Sequence, residues 1–418
     1  MLFRVVVLND DVMKKWIFVL IFMVFLSACH EEKQTLSVGS WLMELQVMDH
    51  QKLPFNFKLD QNKDGKYSIE IYNADETIVV DEITIKNDSI EIKMPVFEGY
   101  FKGIFTATEI KGDFVKESLD RIVPFVATYG ETSRFSTTEK PDKLVSGVWE
   151  TYFSSDTDEE YAGKGLFVQN GSRVTGTFRT ATGDYRFLEG SLTGDSLKLS
   201  AFDGSHAFLF VAKVTDSSLN GMFYSGNHFK EPFTAKRNEV FELPDEDSLT
   251  YLNEGFDKLN FSFPDLTGQM ISLTDDRFKN KPVVIQIMGS WCPNCLDETK
   301  FLVDFNKNNK DLNIEMVALA FEYAKTKDKA FKSIERLKDR IGVPYSILLA
   351  QYGSADKQKA QEKLPMLNHV LSYPTTIFID KKGMVRKIKT GFNGPATGDK
   401  FVQFKKEFKA FVTELANE

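Results

Sequence analysis

The chain reads as a multidomain protein: two tandem antiparallel all-β domains, each a small barrel or sandwich and each a copy of the other, followed by an α/β domain. Three observations predict this. A repeat runs through residues 36–236, the hydrophobic period inside each copy is two, and beyond residue 257 short apolar runs alternate with helical stripes.

The repeat emerges when motifs are laid side by side. Gly39-Ser40-Trp41 recurs as Gly147-Val148-Trp149, Asp88-Ser89-Ile90 as Asp195-Ser196-Leu197, Gly112-Asp113-Phe114 as Gly221-Met222-Phe223, and Pro124-Phe125 as Pro232-Phe233. Every interval lies within two residues of 108. That far exceeds the period of about 20–50 residues typical of stacked arrays, so the pattern predicts a duplicated domain, with copies at 36–136 and 144–236. Alternation at Tyr67, Ile69, Ile71 and Ile90, Ile92, Met94 in the first copy, and at Leu197, Leu199 and Phe208, Phe210, Ala212 in the second, predicts strands with one buried face. Asp64-Gly65, Asn170-Gly171 and Thr182-Gly183-Asp184 supply hairpin turns. Asp60-Gln61-Asn62-Lys63-Asp64-Gly65 has the opening of a calcium loop, but Ile71 stands where a bidentate Glu is required, and the segment reads as a polar turn.

Residues 237–257, charged and containing Pro244, read as a linker to the last domain, 258–418. There the apolar run Val283–Met288 predicts a buried strand, Cys292 to about Phe305 a helix burying Phe301, Leu302 and Phe305, and 314–321 a second strand. Phe331, Ile334, Leu337 and Ile341 form one helical stripe that stops at Gly342. Residues 375–379 and 384–388 form a hairpin across Lys381-Lys382-Gly383. Phe401, Phe404, Phe408, Phe411 and Leu415 give the last helix an apolar core face.

The N-terminus carries an address. Met13-Lys14-Lys15, the apolar run Trp16–Leu26 and the small residues before Cys29 have the three parts of a signal peptide spanning 1–28, with residues 1–12 an unused upstream start. The run is shorter than the roughly 20 apolar residues of a spanning helix. Leu26-Ser27-Ala28-Cys29 resembles a bacterial lipobox, which implies lipidation at Cys29 and a chain anchored by its lipid at the cell envelope, on the periplasmic face or the surface. A net charge of −8 supplies no basic face for nucleic acid.

Three cysteines are present, and with Cys29 set aside two remain, in Trp291-Cys292-Pro293-Asn294-Cys295. Thiols at i and i+3 in the first turn of a helix can form a disulfide and reopen it with little backbone movement. The helix N-terminus favours the reactive thiolate, whereas a free thiol is only a few per cent ionised at neutral pH. A zinc site would need two more ligands, and His30, His50, His206, His228 and His369 show no ligand spacing, so no metal and no cofactor are expected. His369 reads as a loop residue. A peroxidatic cysteine would stand alone, without a second thiol at i+3.

These features resemble the thioredoxin-like domain of TlpA/ResA-type thiol-disulfide oxidoreductases, over residues 258–418. Besides the Trp-Cys-x-x-Cys motif behind a strand, the likeness rests on Phe261-Ser262-Phe263-Pro264-Asp265 with Gly268 and Leu273 as the leading segment. Tyr373-Pro374-Thr375 matches the family's cis-proline, and the interval from Cys292 to Pro374 leaves room for its helix-bearing insertion. The resemblance implies Cys292 as the attacking thiolate at an exposed helix start, Cys295 as the resolving thiol and Trp291 as their shield. It implies a cis Pro374 that holds Tyr373 beside Cys292, and an acidic Glu298 that tunes the thiols or relays a proton. Thioredoxins carry a buried Asp on the central strand, where this chain has Gln286. The implied partners are a disulfide-containing protein substrate and a membrane thiol donor. The implied direction is reduction, with the β domains holding the redox domain off the membrane or presenting partners to it. The rival reading is a surface lipoprotein whose β domains bind a ligand while the α/β domain is vestigial; a disulfide isomerase would require a dimeric cleft that nothing in the sequence predicts.

Overall fold

In the computed structural model, which describes residues 35–418, the alternating residues of the first copy build β1 (Gly39–Gln46), β2 (Lys52–Gln61), β3 (Tyr67–Asn73), β4 (Glu76–Val80), β5 (Glu82–Lys86), β6 (Ser89–Lys93), β7 (Tyr100–Phe105), β8 (Glu109–Lys116) and β9 (Arg121–Tyr129). The second copy builds β10 (Gly147–Phe153), β11 (Tyr161–Asn170), β12 (Arg173–Thr180), β13 (Gly183–Asp184), β14 (Leu188–Thr193), β15 (Ser196–Phe202), β16 (Ala207–Val214), β17 (Ser218–Ser225) and β18 (Phe229–Arg237). Both are antiparallel meanders curled into barrels. β1 pairs with β2 and β9, and β10 with β11 and β18. In the second copy β11 pairs with β12, and β14 joins β12 to β15, closing the ring. In the first, β4 pairs with β3 and β5 with β6, so one run broken at Asp81 does the work of β14.

The duplication extends to hydrogen bonds. The Trp41 indole donates to Ser37 O at 3.0 Å, and the Trp149 indole donates to Val145 O at 2.8 Å, each reaching four residues back to lock the first strand's entry. Both rings are fully buried, which satisfies their single polar atom inside an apolar core. The Asp60–Gly65 segment is a turn: Asn62 Oδ1 accepts from the Asp64 and Lys66 amides, with Gly65 at φ 77°.

The second barrel keeps its own core around Trp149, Phe178 and Phe210, but lends side chains to that of the first. Phe202, at the end of β15, stacks on Phe55 with ring centroids 4.6 Å apart and meets Phe114 edge-on at 5.2 Å. Asn73 clamps the same strand end, donating to Phe202 O and accepting from Phe202 N.

The α/β domain contains a small ribbon, β19 (Ser262–Pro264) with β20 (Met270–Ser272), and a five-stranded sheet of β21 (Val283–Met288), β22 (Glu315–Phe321), β23 (Ser346–Gln351), β24 (Thr375–Ile379) and β25 (Val385–Thr390), in the order 23-22-21-24-25. β21, β22 and β23 run parallel and β24 and β25 antiparallel. Its helices are α1 (Pro293–Asn308), α2 (Lys327–Ile341), α3 (Lys357–Lys363) and α4 (Asp399–Asn417). Every residue of β21 is buried, its one polar side chain, Gln286, being hydrogen-bonded. α2 ends at Gly342 with φ 71°, and α4 buries Phe404, Phe408, Val412 and Leu415. Between α1 and Pro374 lie β22, α2, β23 and α3.

The segment read as a linker is built into the α/β domain. Glu246 is buried, pairs with Lys389 and accepts from Asn393 Nδ2 at 2.6 Å, while the Thr250 and Thr390 hydroxyls bond at 2.8 Å. Its charge had signalled solvent; a buried lysine partner reverses that inference. Cys29 and the predicted signal peptide lie outside the described residues. No helix among the described residues is long and apolar enough to cross a membrane.

Candidate active site

Cys292 leaves β21 in an extended conformation (φ −96°, ψ 115°) and becomes the N-cap of α1. The first-turn amides of a helix have no backbone acceptors, and here the Cys295 amide donates to the Cys292 sulfur at 3.2 Å, the kind of donor a thiolate needs. Pro293 opens the helix, where its missing N–H leaves no bond unmade. The Cys292 thiol donates to Tyr373 O at 3.4 Å, next to a cis Tyr373–Pro374 bond. Both cysteines are free thiols. Cys295 is wholly buried, and that burial, reinforced by the neighbouring Cys292 sulfur, pushes its thiol up.

Trp291 packs edge-on to Tyr373, centroids 5.6 Å apart, and its indole donates to Phe321 O at 2.9 Å. Glu298 lies beneath the pair, 1% exposed, accepting from the Thr376 hydroxyl at 2.6 Å and from Gln286 Nε2 at 2.9 Å. Gln286 also donates to Cys295 O at 3.2 Å, so the residue in place of the thioredoxin Asp ties Glu298 to the helix carrying both thiols. Burial lifts Glu298 to about 7 despite these two hydrogen bonds. Among the described residues no group of three or more His, Cys, Asp or Glu side chains stands placed to hold a metal ion. His369 sits in the loop before β24 and does not line the cavity at Cys292.

One expectation is corrected: Cys292 does not lie at an exposed helix start, being only 6% exposed. The second barrel packs against this face, beside the cover that Trp291 and Tyr373 give. Its tip, from Thr180 to Arg186, lies across the dithiol face: Thr182 O accepts from the Ser372 hydroxyl at 2.9 Å, Asp184 O from Asn294 Nδ2 at 3.0 Å, and Asp184 Oδ2 from the Gly394 amide at 2.6 Å. The Ser205 hydroxyl donates to Trp291 O at 2.9 Å. The buried Arg186 guanidinium pairs with Asp297 on α1 and with Glu76 of the first barrel, donates to Pro293 O at 3.1 Å and lies 3.6 Å from Asp203.

Sequence reading missed this latch, as well as Glu322. The latter is buried at the end of β22, accepts from the Ser290 amide and hydroxyl, both at 2.7 Å, and is lifted to about 7 by burial. A carboxylate directly behind the apolar run 316–321 was its only signal.

A cavity of about 340 Å³ reaches Cys292 between the two domains, walled by Trp291, Tyr373 and Lys357 on one side and by Thr182, Tyr185 and Phe208 on the other.

Comparison with known proteins finds similarity in the C-terminal region. Residues 256–401 match the Redoxin family model. The chain is 29% identical over 141 residues to the thioredoxin-like protein YneN of Bacillus subtilis, covering 34% of this chain and 73% of that one. It is 28% identical over 142 residues to the thiol-disulfide oxidoreductase ResA of the same organism, covering 34% and 69%. Among solved structures, a thiol-disulfide oxidoreductase from Bacteroides fragilis aligns over 36% of this chain and 99% of its own, at 20% identity and a TM-score of 0.26.

Two outcomes follow. Arg186→Leu strands the buried carboxylates of Glu76, Asp203 and Asp297 and is expected to cost about 3–5 kcal/mol, read as a lower urea midpoint. Iodoacetamide should then alkylate Cys292 at least about tenfold faster, because the tip no longer holds; an unchanged rate would show that the barrel does not cover the thiol. The folded-state value of Glu298 lies above its ordinary 4.5, so the folded chain binds the extra proton and loses stability as pH rises from 4.5 to about 7. Glu322 titrates over the same window. Glu298→Gln should remove about 3 kcal/mol of that decline, leaving the variant the more stable at pH 8 and equal to the parent near pH 4 in denaturant titrations.

Proposed function

From a C-terminal region that belongs to the TlpA/ResA-type thioredoxin-like proteins, we propose that this thiol-disulfide oxidoreductase reduces protein disulfides outside the cytoplasm, tethered to a membrane by lipid on Cys29. The observation that carries the reading is the pair itself: Cys292 sulfur at a helix N-terminus accepting the Cys295 amide, with the second thiol buried directly behind it.

In the proposed reaction the Cys292 thiolate attacks one sulfur of a substrate disulfide. That S–S bond breaks, a mixed disulfide forms, and the departing sulfur leaves as a thiolate that takes up a proton. Cys295 then gives its proton to Glu298, whose buried carboxyl near 7 is matched to accepting it, and attacks Cys292. The second substrate thiol is released. Two electrons have passed to the substrate, and the Cys292–Cys295 disulfide is returned to the dithiol by a membrane thiol donor. Trp291 shields the sulfurs, and Pro374 keeps Tyr373 O against Cys292. The intact pair favours this over a ligand-binding surface lipoprotein with an idle α/β domain.

Insulin reduction by the reduced chain should disappear in Cys292→Ser, while Cys295→Ser should accumulate a mixed disulfide with its substrate; turnover that survives the first substitution rejects the mechanism. In cell fractionation the chain should pellet with membranes, and Cys29→Ser should shift it to the soluble fraction. Retention of that variant in the pellet rejects the lipid anchor.

A further inference from the structure

The cavity at Cys292 does not end at the dithiol. Tyr161, Tyr185, His206 and Phe208 also wall a second hollow of about 540 Å³ in the mouth of the second barrel, which runs outward to Phe223, Phe229 and Arg121. The two form one groove, deep at the sulfur and open at Phe229, which is 45% exposed. Its polar floor is already committed. The Tyr161 and Tyr185 hydroxyls bond each other at 2.8 Å, Tyr161 donates to Glu231 at 2.8 Å, and Glu231 also accepts from Ser154 at 2.5 Å. Besides the charged groups Arg121, Lys357 and Glu159, what the groove offers an occupant is aromatic faces.

We infer that the second barrel is the substrate-recognition element of this oxidoreductase, and that its groove takes an extended polypeptide segment whose disulfide cysteine reaches Cys292 while a neighbouring aromatic side chain seats among Tyr185, Phe208 and Phe229. The inference rests on the thiol-disulfide reading above and names its substrate class. Three observations argue for this occupant. With Cys292 6% exposed under the tip 180–186, a sulfur fixed in a folded surface cannot approach it, whereas one on a slender segment can be inserted. Each hollow is the size of a pocket for one small ligand or a few side chains, not of a protein face. The groove carries both signs of charge, Arg121 and Lys357 against Glu159 and Asp184, so neither a polyanion nor a polycation is selected and the aromatic walls set the preference.

The test uses the reduced full-length chain and two short linear peptides, each with one cysteine in mixed disulfide with cysteamine. One has phenylalanine at the two positions on either side of the cysteine, and the other has alanine there. Oxidation of the chain is followed by alkylation and mass spectrometry. The phenylalanine peptide should oxidise the parent about tenfold faster at limiting concentration, and that ratio should fall below about threefold in Phe208→Ala and in Phe229→Ala. Phe229 is exposed enough for its truncation to spare the fold, and the ratio between peptides is insensitive to a general loss of active protein. Equal rates in the parent, faster oxidation by glutathione disulfide than by either peptide, or a preference that survives both substitutions overturns the proposal. A parent chain oxidised by neither peptide but active on insulin overturns this proposal alone. One inert toward all three overturns the thiol-disulfide reading and this proposal with it.

Discussion

A guanidinium buried among carboxylates from three domains is the constraint around which this molecule is arranged. Arg186 contributes from the second barrel, Glu76 from the first and Asp297 from the helix that carries both thiols. Taking these ions out of water costs several kcal/mol each, repaid only where geometry is satisfied on all sides. The cluster has more negative than positive charge. Burial, with Asp297 nearby, raises Asp184 to about 6, and burial also raises Glu76 against the pull of Arg186. Arg186 itself is held in the left-handed region at φ 58°, its amide donating to Asp184 Oδ1 at 2.6 Å. An arginine is suited to this place because its planar fork addresses several acceptors at once and stays charged when buried.

That latch determines what kind of active site the dithiol has. Here Ser205 holds Trp291 O and Arg186 holds Pro293 O, so the backbone on both sides of Cys292 is bonded to the barrel, and Asp184 and Thr182 add bonds to Asn294, Gly394 and Ser372. The first barrel completes the frame: Arg336 of α2 donates to Glu82 and to Met94 O, both at 2.7 Å, at the break between β4 and β5.

Local pattern made much of this legible. The strand 283–288, the stop of α2 at Gly342 and the two β copies follow from periods and turn residues that act within a few positions. That Cys292 and Cys295 lie side by side was readable because a spacing of three puts both in the first turn of one helix. What escaped depends on distant partners. Arg186 and Asp297 are 111 positions apart, and Glu246 and Lys389 are 143 apart. A charged residue carries the same local signature whether it meets water or a buried counter-ion, so Cys292 read as exposed and the segment around Glu246 as a tether. Glu322 escaped for the same reason, its partner Ser290 lying on a different loop.

The duplication shows how such a latch can arise on a barrel. In the first copy β3 passes to β4 through the two-residue turn Ala74-Asp75, as tight as a meander allows. In the second copy the same passage, from β12 at Thr180 to β14 at Leu188, includes the excursion that carries Thr182, Asp184 and Arg186. The hydrophobic template is common to both copies, down to the indole of the first strand bonding four residues back. A barrel whose inward-facing residues already secure its fold can lengthen one connection at little cost, since loop closure grows only slowly with length. The copies therefore diverged where change is thermodynamically cheapest, and the longer connection is the one that reaches the sulfur.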